Sequence, residues 1–169
     1  MTITTSSTDD QDQRHLAELV SDAEVAMLTT RTADGQQVSR PMGLQEVEFD
    51  GDLWFFAYDD SAKVAQISAE PQVNVAFSDT KIKSWTSIAG RAEIVHDRAK
   101  AEELCSPTLK AWFPGGLDTP GLTLIKVQAD TAKYWEGRSS TVGFILGTVR
   151  AAVTKNSDND PITNTTVQL

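Results

Sequence analysis

Apolar and polar residues in this chain mostly alternate with the two-residue period of strands, interrupted by a few stretches at helical spacing. Val25 to Arg31 (VAMLTTR) is rich in strand formers, Ala33-Asp34-Gly35 reads as a turn, and Gln37 to Leu44 resumes a strand, which predicts a hairpin. Glu46 to Phe49 and Asp52 to Tyr58 flank Asp50-Gly51, a two-residue signal for a second hairpin. Val73 to Ser78 alternates as a strand. Ser84 to His96 is a longer one broken by Gly90, and a glycine inside a strand marks a bulge or a close backbone approach. Leu122 to Gln128 and Lys133 to Glu136 complete the strands, with Ala129-Asp130 as the turn between them.

The helical stretches are short. Signals begin at Asp9-Asp10, where acids suit the positive end of the helix dipole, and Leu16, Leu19 and Val20 share one face. Ser61 to Ala69 predicts a helix capped by Ser61, with Val64 and Ile67 facing inward and Pro71 after its end. Asp97 caps another over AKAEEL, and a further turn covers Thr108 to Phe113 before Pro114-Gly115-Gly116. Val142, Ile145, Leu146, Val149 and Val153 fall at helical spacing, although Gly143 and Gly147 weaken that helix. Short antiparallel strands with interspersed helices predict a mainly β fold, a small barrel with helical decoration; the order lacks the regular alternation of a parallel sheet. The expected organisation is a flexible leader over 1–12, one domain over 13–137, a C-terminal helical extension over 138–154 and a polar tail over 155–169.

Composition narrows the function. The chain has 169 residues, 40% of them apolar, enough for one domain with a real core. No apolar run approaches a membrane span, and the polar, acidic N-terminus does not read as a signal peptide. With 15 basic and 24 acidic side chains the net charge is −9, which argues against a nucleic-acid surface. A phosphate ligand would need a local basic cluster against that field. The single cysteine, Cys105, excludes an intrachain disulfide, fits a reducing cytoplasm and reads as a small packing residue.

Enzyme constellations are scarce. The two histidines, His15 and His96, have no partners at metal or triad spacing, and there is no glycine-rich phosphate loop. What stands out is Arg40, on a strand next to Pro41, and Lys63, in the first turn of the helix that Ser61 opens. Pro41 favours an edge or rim, where a ligand can approach backbone. The free amides and Ser61 hydroxyl at a helix start suit an anion, and an anion would reconcile the dipole with a cation there. On spacing alone both read as ordinary surface charges, which exposed Lys and Arg usually are. Trp85, Trp112 and Trp135 read as core residues or as borders of a planar ligand.

The ordered segments VAMLTTRTADGQQVSRPMG, DGDLWFFAYDDSAKVAQISAEPQVNVAFSD, SIAGRAEIVHD and KYWEG resemble the FMN-binding split β-barrel proteins related to pyridoxamine 5′-phosphate oxidase. Within that superfamily they are most similar to the general stress protein 26 group, over roughly residues 15–137. The resemblance implies a six-stranded antiparallel split β-barrel with peripheral helices, forming a homodimer with FMN at the subunit interface. It implies phosphate contacts from Arg40, Ser61 and Lys63, and backbone of Ser39, Pro41 and Met42 near the flavin ring. Phe56 and Ala57 would lie on the strand beside the cofactor, Trp85 would reach it from the other subunit, and Trp135 would flank the ring. The true oxidase has a second basic residue before the phosphate lysine, where this chain has Ala62, and a late Arg-Leu-His segment, where RSSTVGFILG follows Gly137. Vitamin B6 oxidase activity is therefore not expected. The implied function is a flavin-dependent oxidoreductase with a stress-related role and an unknown small-molecule electron donor or acceptor. Alternatives are a non-catalytic flavin sensor or carrier, or a barrel using FAD or F420.

Overall fold

The computed structural model describes residues 6–45, 48–137 and 162–169. Helix α1 (Ser6–Ser21) leads into strands β1 (Val25–Arg31) and β2 (Gln37–Gly43), which form the expected hairpin with Leu28 opposite Arg40. Then come β3 (Asp52–Tyr58), α2 (Ala62–Ala69), β4 (Gln72–Asp79) and β5 (Ser84–Val95). Two short helices follow, α3 (Arg98–Glu103) and α4 (Leu109–Trp112), then β6 (Leu122–Gly137) and β7 (Ile162–Gln168). The sheet is antiparallel, in the order β2-β1-β4-β5-β6-β3, with β7 also on β6. It is a split β-barrel: β2 and β3 end the strand order, so each keeps one edge without a partner strand among the described residues.

Alternation explains the core. In β1, Ala26, Leu28 and Thr30 point inward while Val25, Met27 and Arg31 are exposed. Leu16, Leu28, Phe55, Val75, Ile88, Ile125 and Val127 are all fully buried. On β3 both faces are covered. Phe55 enters the main core, whereas Phe56 packs outside it with Leu104, Leu109 and Phe113 from the α3–α4 region. Asp97 caps α3 as expected, its Oδ1 accepting from the Lys100 amide at 3.1 Å. Cys105 is exposed, contrary to its reading as a packing residue.

Four expectations about elements change. Helix α1 starts at Ser6, inside the stretch read as a flexible leader. Leu16, Leu19 and Val20 anchor its far end in the core, and once a helix is nucleated each further residue adds one hydrogen bond. Asp50-Gly51 does not close a hairpin. Gly51 turns the chain at φ +105°, its carbonyl accepts from the Ala129 amide at 2.9 Å, and β3 pairs with the first half of β6. Ala129-Asp130 is no turn, because β6 runs through it. Burial changes phase there, with Val127 and Ala129 buried before it and Ala132 and Tyr134 after it. This is a bulge opposite Ala89 and Gly90. Part of the polar tail is strand β7, which pairs with the second half of β6 and buries Val167. Among the described residues the strand count is thus seven, one more than the resemblance implied. The expected helix within 141–154 and the strand residues Glu46 and Val47 lie outside the described residues.

Candidate functional site

Arg40 stands near the middle of β2, on the inward side with its neighbour Leu28. Pro41 needs no ladder partner here, since β2 ends the sheet. The Arg40 head is half-buried. Its Nη1 donates to Thr30 Oγ1 at 2.6 Å and to the Leu28 carbonyl at 3.3 Å, and its Nη2 donates to Gln66 Oε1 at 3.1 Å. The Thr30 hydroxyl donates to the same Gln66 oxygen at 2.6 Å. Thr30 comes from β1 and Gln66 from α2, so three elements converge on one guanidinium.

Lys63 lies one turn ahead of Gln66 on α2. Burial pushes its ammonium below the usual lysine range, and the charge of Arg40 adds to that shift. Burial alone also lowers Arg40. Among the described residues neither cation has a carboxylate within salt-bridge range, and α2 has no acid in its first turn. The amides of Ser61, Val64 and Ala65 are used by turn and helix bonds, whereas those of Ala62 and Lys63 have no backbone acceptor among the described residues. Ser61 occupies the N-cap, but its hydroxyl does not cap. It donates to the Tyr58 carbonyl at 2.6 Å instead, so its donor is spent.

The remaining residues singled out from the sequence divide. Ser39 and Pro41 are exposed on β2, and the Ser39 hydroxyl pairs with Thr29 Oγ1 at 2.7 Å. Met42, Phe56 and Ala57 have buried side chains, so only their backbone can meet a ligand. Trp85 and Trp135 are direct cross-strand neighbours, half-buried on the outer face. They sit three and four strands from β2, about 14 and 19 Å along the sheet at the usual strand spacing. One chain therefore assembles Arg40, Lys63 and the start of α2, and leaves both tryptophans apart. Trp112 is 65% exposed, close to Gly43 at the end of β2.

The family model described as pyridoxamine 5′-phosphate oxidase like matches residues 11–159. The chain belongs to this family. The chain is also similar to the curated Protein bli-3 of Neurospora crassa, 30% identical over 155 residues, covering 86% of this chain and 74% of that protein. Among solved structures, the general stress FMN/FAD binding protein of Xanthomonas citri superposes with a TM-score of 0.67 at 30% identity, over 78% of this chain and 92% of that one. General stress protein 26 of Bacillus anthracis str. Sterne shares the fold, with a TM-score of 0.63 at 22% identity, over 72% and 92%.

Thr30 and Gln66 are the site residues that sequence reasoning missed in this pyridoxamine 5′-phosphate oxidase-like chain. A signal existed for each. Gln66 lies at i+3 from Lys63, hence on the same helix face, and Thr30 is the diagonal neighbour of Arg40 once the hairpin register is known. Ala62, where the oxidase has its second basic residue, stands exposed beside Lys63.

Proposed function

We propose that this chain binds FMN and works as a flavin-dependent oxidoreductase with a stress-related role, as a homodimer whose cofactor sites lie between subunits. One observation carries the reading: two partly buried cations, Arg40 and Lys63, lie near enough for one charge to bear on the other, with no carboxylate in salt-bridge range among the described residues. Such a pair is costly unless an anion joins it. Arg40, Lys63 and the amides of Ala62 and Lys63 supply charge-assisted donors for a phosphate. The naming of the Xanthomonas citri relative as an FMN/FAD binding protein supports a flavin as the group that carries this phosphate. The bound flavin would supply the redox chemistry. The chain's part is to hold the phosphate, to offer the free edge of β2 at Ser39 to Met42, and to keep water from the covered face. The separation of Trp85 and Trp135 from Arg40 supports a site completed by a second subunit. The compartment in this reading is the cytoplasm, where an exposed lone cysteine stays reduced.

The test is to purify the protein, record its visible spectrum and identify the ligand released on denaturation by mass spectrometry. A yellow protein releasing FMN is expected. A colourless protein that takes up no added FMN overturns the reading, and release of FAD or F420 corrects the cofactor. Rapid mixing with NADH or NADPH then separates an oxidoreductase, whose flavin bleaches, from a carrier, whose flavin does not.

A further inference from the structure

Arg40 is held by a closed triangle of hydrogen bonds. Thr30 Oγ1 and Gln66 Oε1 stand 2.6 Å apart and each accepts from a different terminal nitrogen of the guanidinium. Leu28 O takes the other Nη1 hydrogen. Nη1 is thereby fully used and Nη2 half used. What remains is Nε–H and the second Nη2–H, and among the described residues nothing accepts from either. These two form the side-on fork of the guanidinium, the geometry that meets two oxygens of one phosphate. The triangle's base does not drift, because Thr30 is 1% exposed and Gln66 sits on the helix that buries Val64 and Ile67.

The chemistry of the third partner matters as much as its position. A glutamate at position 66 would have the same reach, but it would pair with Arg40 and cancel one of the two charges. The neutral amide orients Arg40 and leaves both positive charges to the ligand. Resting on the flavin-phosphate reading above, the geometry points to Gln66 and Thr30 as positioning residues. They aim the free fork of Arg40 and keep the cluster matched to a phosphate monoester dianion.

The experiment compares FMN with riboflavin, which has the same ring and no phosphate, by flavin fluorescence titration of the full-length protein and its Gln66→Glu and Gln66→Met variants. Thermal melting of each apo variant checks folding. Wild type is expected to prefer FMN. Gln66→Glu and Gln66→Met should each weaken FMN binding on the order of tenfold to a hundredfold, the span of a hydrogen bond to a charged group, and leave riboflavin binding unchanged. Gln66→Glu should also flatten the salt dependence of FMN binding, since one charge is neutralised internally. If both variants keep the wild-type ratio of FMN to riboflavin affinity, the positioning role is overturned while the flavin reading stands. If wild type shows no preference for FMN, the phosphate reading falls, and this inference falls with it.

Discussion

At the scale of residues, Lys63 is a cation in a place where folding gains nothing from it. Burial and the neighbouring Arg40 charge both lower its pKa from the ordinary 10.5. The unfolded chain therefore binds more protons than the folded one between the lowered value and 10.5, so this group's contribution to stability rises with pH across that window. Below the window the protonated ammonium is a constant cost. Lys63→Met should accordingly stabilise the apo protein near neutral pH, and that advantage should fade as pH climbs through the window. Denaturant melts of both proteins at several pH values read this directly. The same substitution should weaken FMN binding by about 1.5–3 kcal/mol, and Arg40→Ala should do likewise. A Lys63→Met protein that is less stable, or that binds FMN as wild type does, would mark Lys63 as structural. Position singled out the two cations, but alone it read them as ordinary surface charges; the ordered resemblance gave them the role of phosphate contacts. Thr30 and Gln66 were not, because a threonine in a strand and a glutamine on a helix are unremarkable until the register brings them to one guanidinium.

At the scale of elements, the bulge between β5 and β6 shapes the sheet, and Gly90 makes it feasible. A Cβ at Gly90 would lie 2.2 Å from the Gln128 carbonyl oxygen, a backbone atom that cannot swing away. Gly90→Ala should destabilise the fold by roughly 1–3 kcal/mol, the usual cost of overpacking, with a lowered denaturation midpoint as the readout; an unchanged midpoint would mean the strands part freely here. Gly90 was legible as an interruption, but its partner was misread, since Ala129-Asp130 looks like a turn until β6 is seen to shift phase across it. Strand β7 was hidden for a different reason: ITNTTVQ carries β-branched residues but little bulk, so its strand character emerges only on pairing with β6. Helix α1 is tied to that same part of β6. Tyr134 donates to Asp12, and His15 Nε2 stands 2.9 Å from Glu136 Oε1, with Glu18 within 3.5 Å of His15 Nδ1. Burial lowers the His15 pKa, but hydrogen bonds and charge from Glu136 and Glu18 outweigh it, and the net shift is upward from 6.5. A raised folded pKa gives stability that is complete below the unfolded value and lost as pH rises through the folded one. Amide exchange in α1 should therefore be slower just below pH 6.5 than at pH 8, relative to its intrinsic rate, and His15→Ala should remove the difference.

At the scale of the whole molecule, the proposed flavin site draws on residues that one chain does not bring together. Arg40 and Lys63 collect at the free edge of β2 and the start of α2, while Trp85 and Trp135 pair on the outer face three and four strands away. On the outer face of β1, Val25 is 49% exposed and Met27 41%. In the proposed dimer, Arg40 of one subunit would share a site with Trp85 of the other. That arrangement has a consequence that a site within one chain cannot imitate. Arg40→Ala and Trp85→Asp should each impair FMN binding in their own homodimers. In a mixed dimer, one site would collect both lesions and the other would collect neither. Co-expression of the two variants with different affinity tags, followed by sequential purification, should return a protein with one intact FMN site for every two chains. A site confined to one chain would leave a lesion in every copy, and the mixed protein would bind no better than its parents. Sedimentation would show whether the purified species is a dimer, and a monomer with full FMN content would end the proposal of a shared site. The comparison also isolates Trp85: were it only packing against Trp135 within its own chain, its loss would not be complemented from a partner.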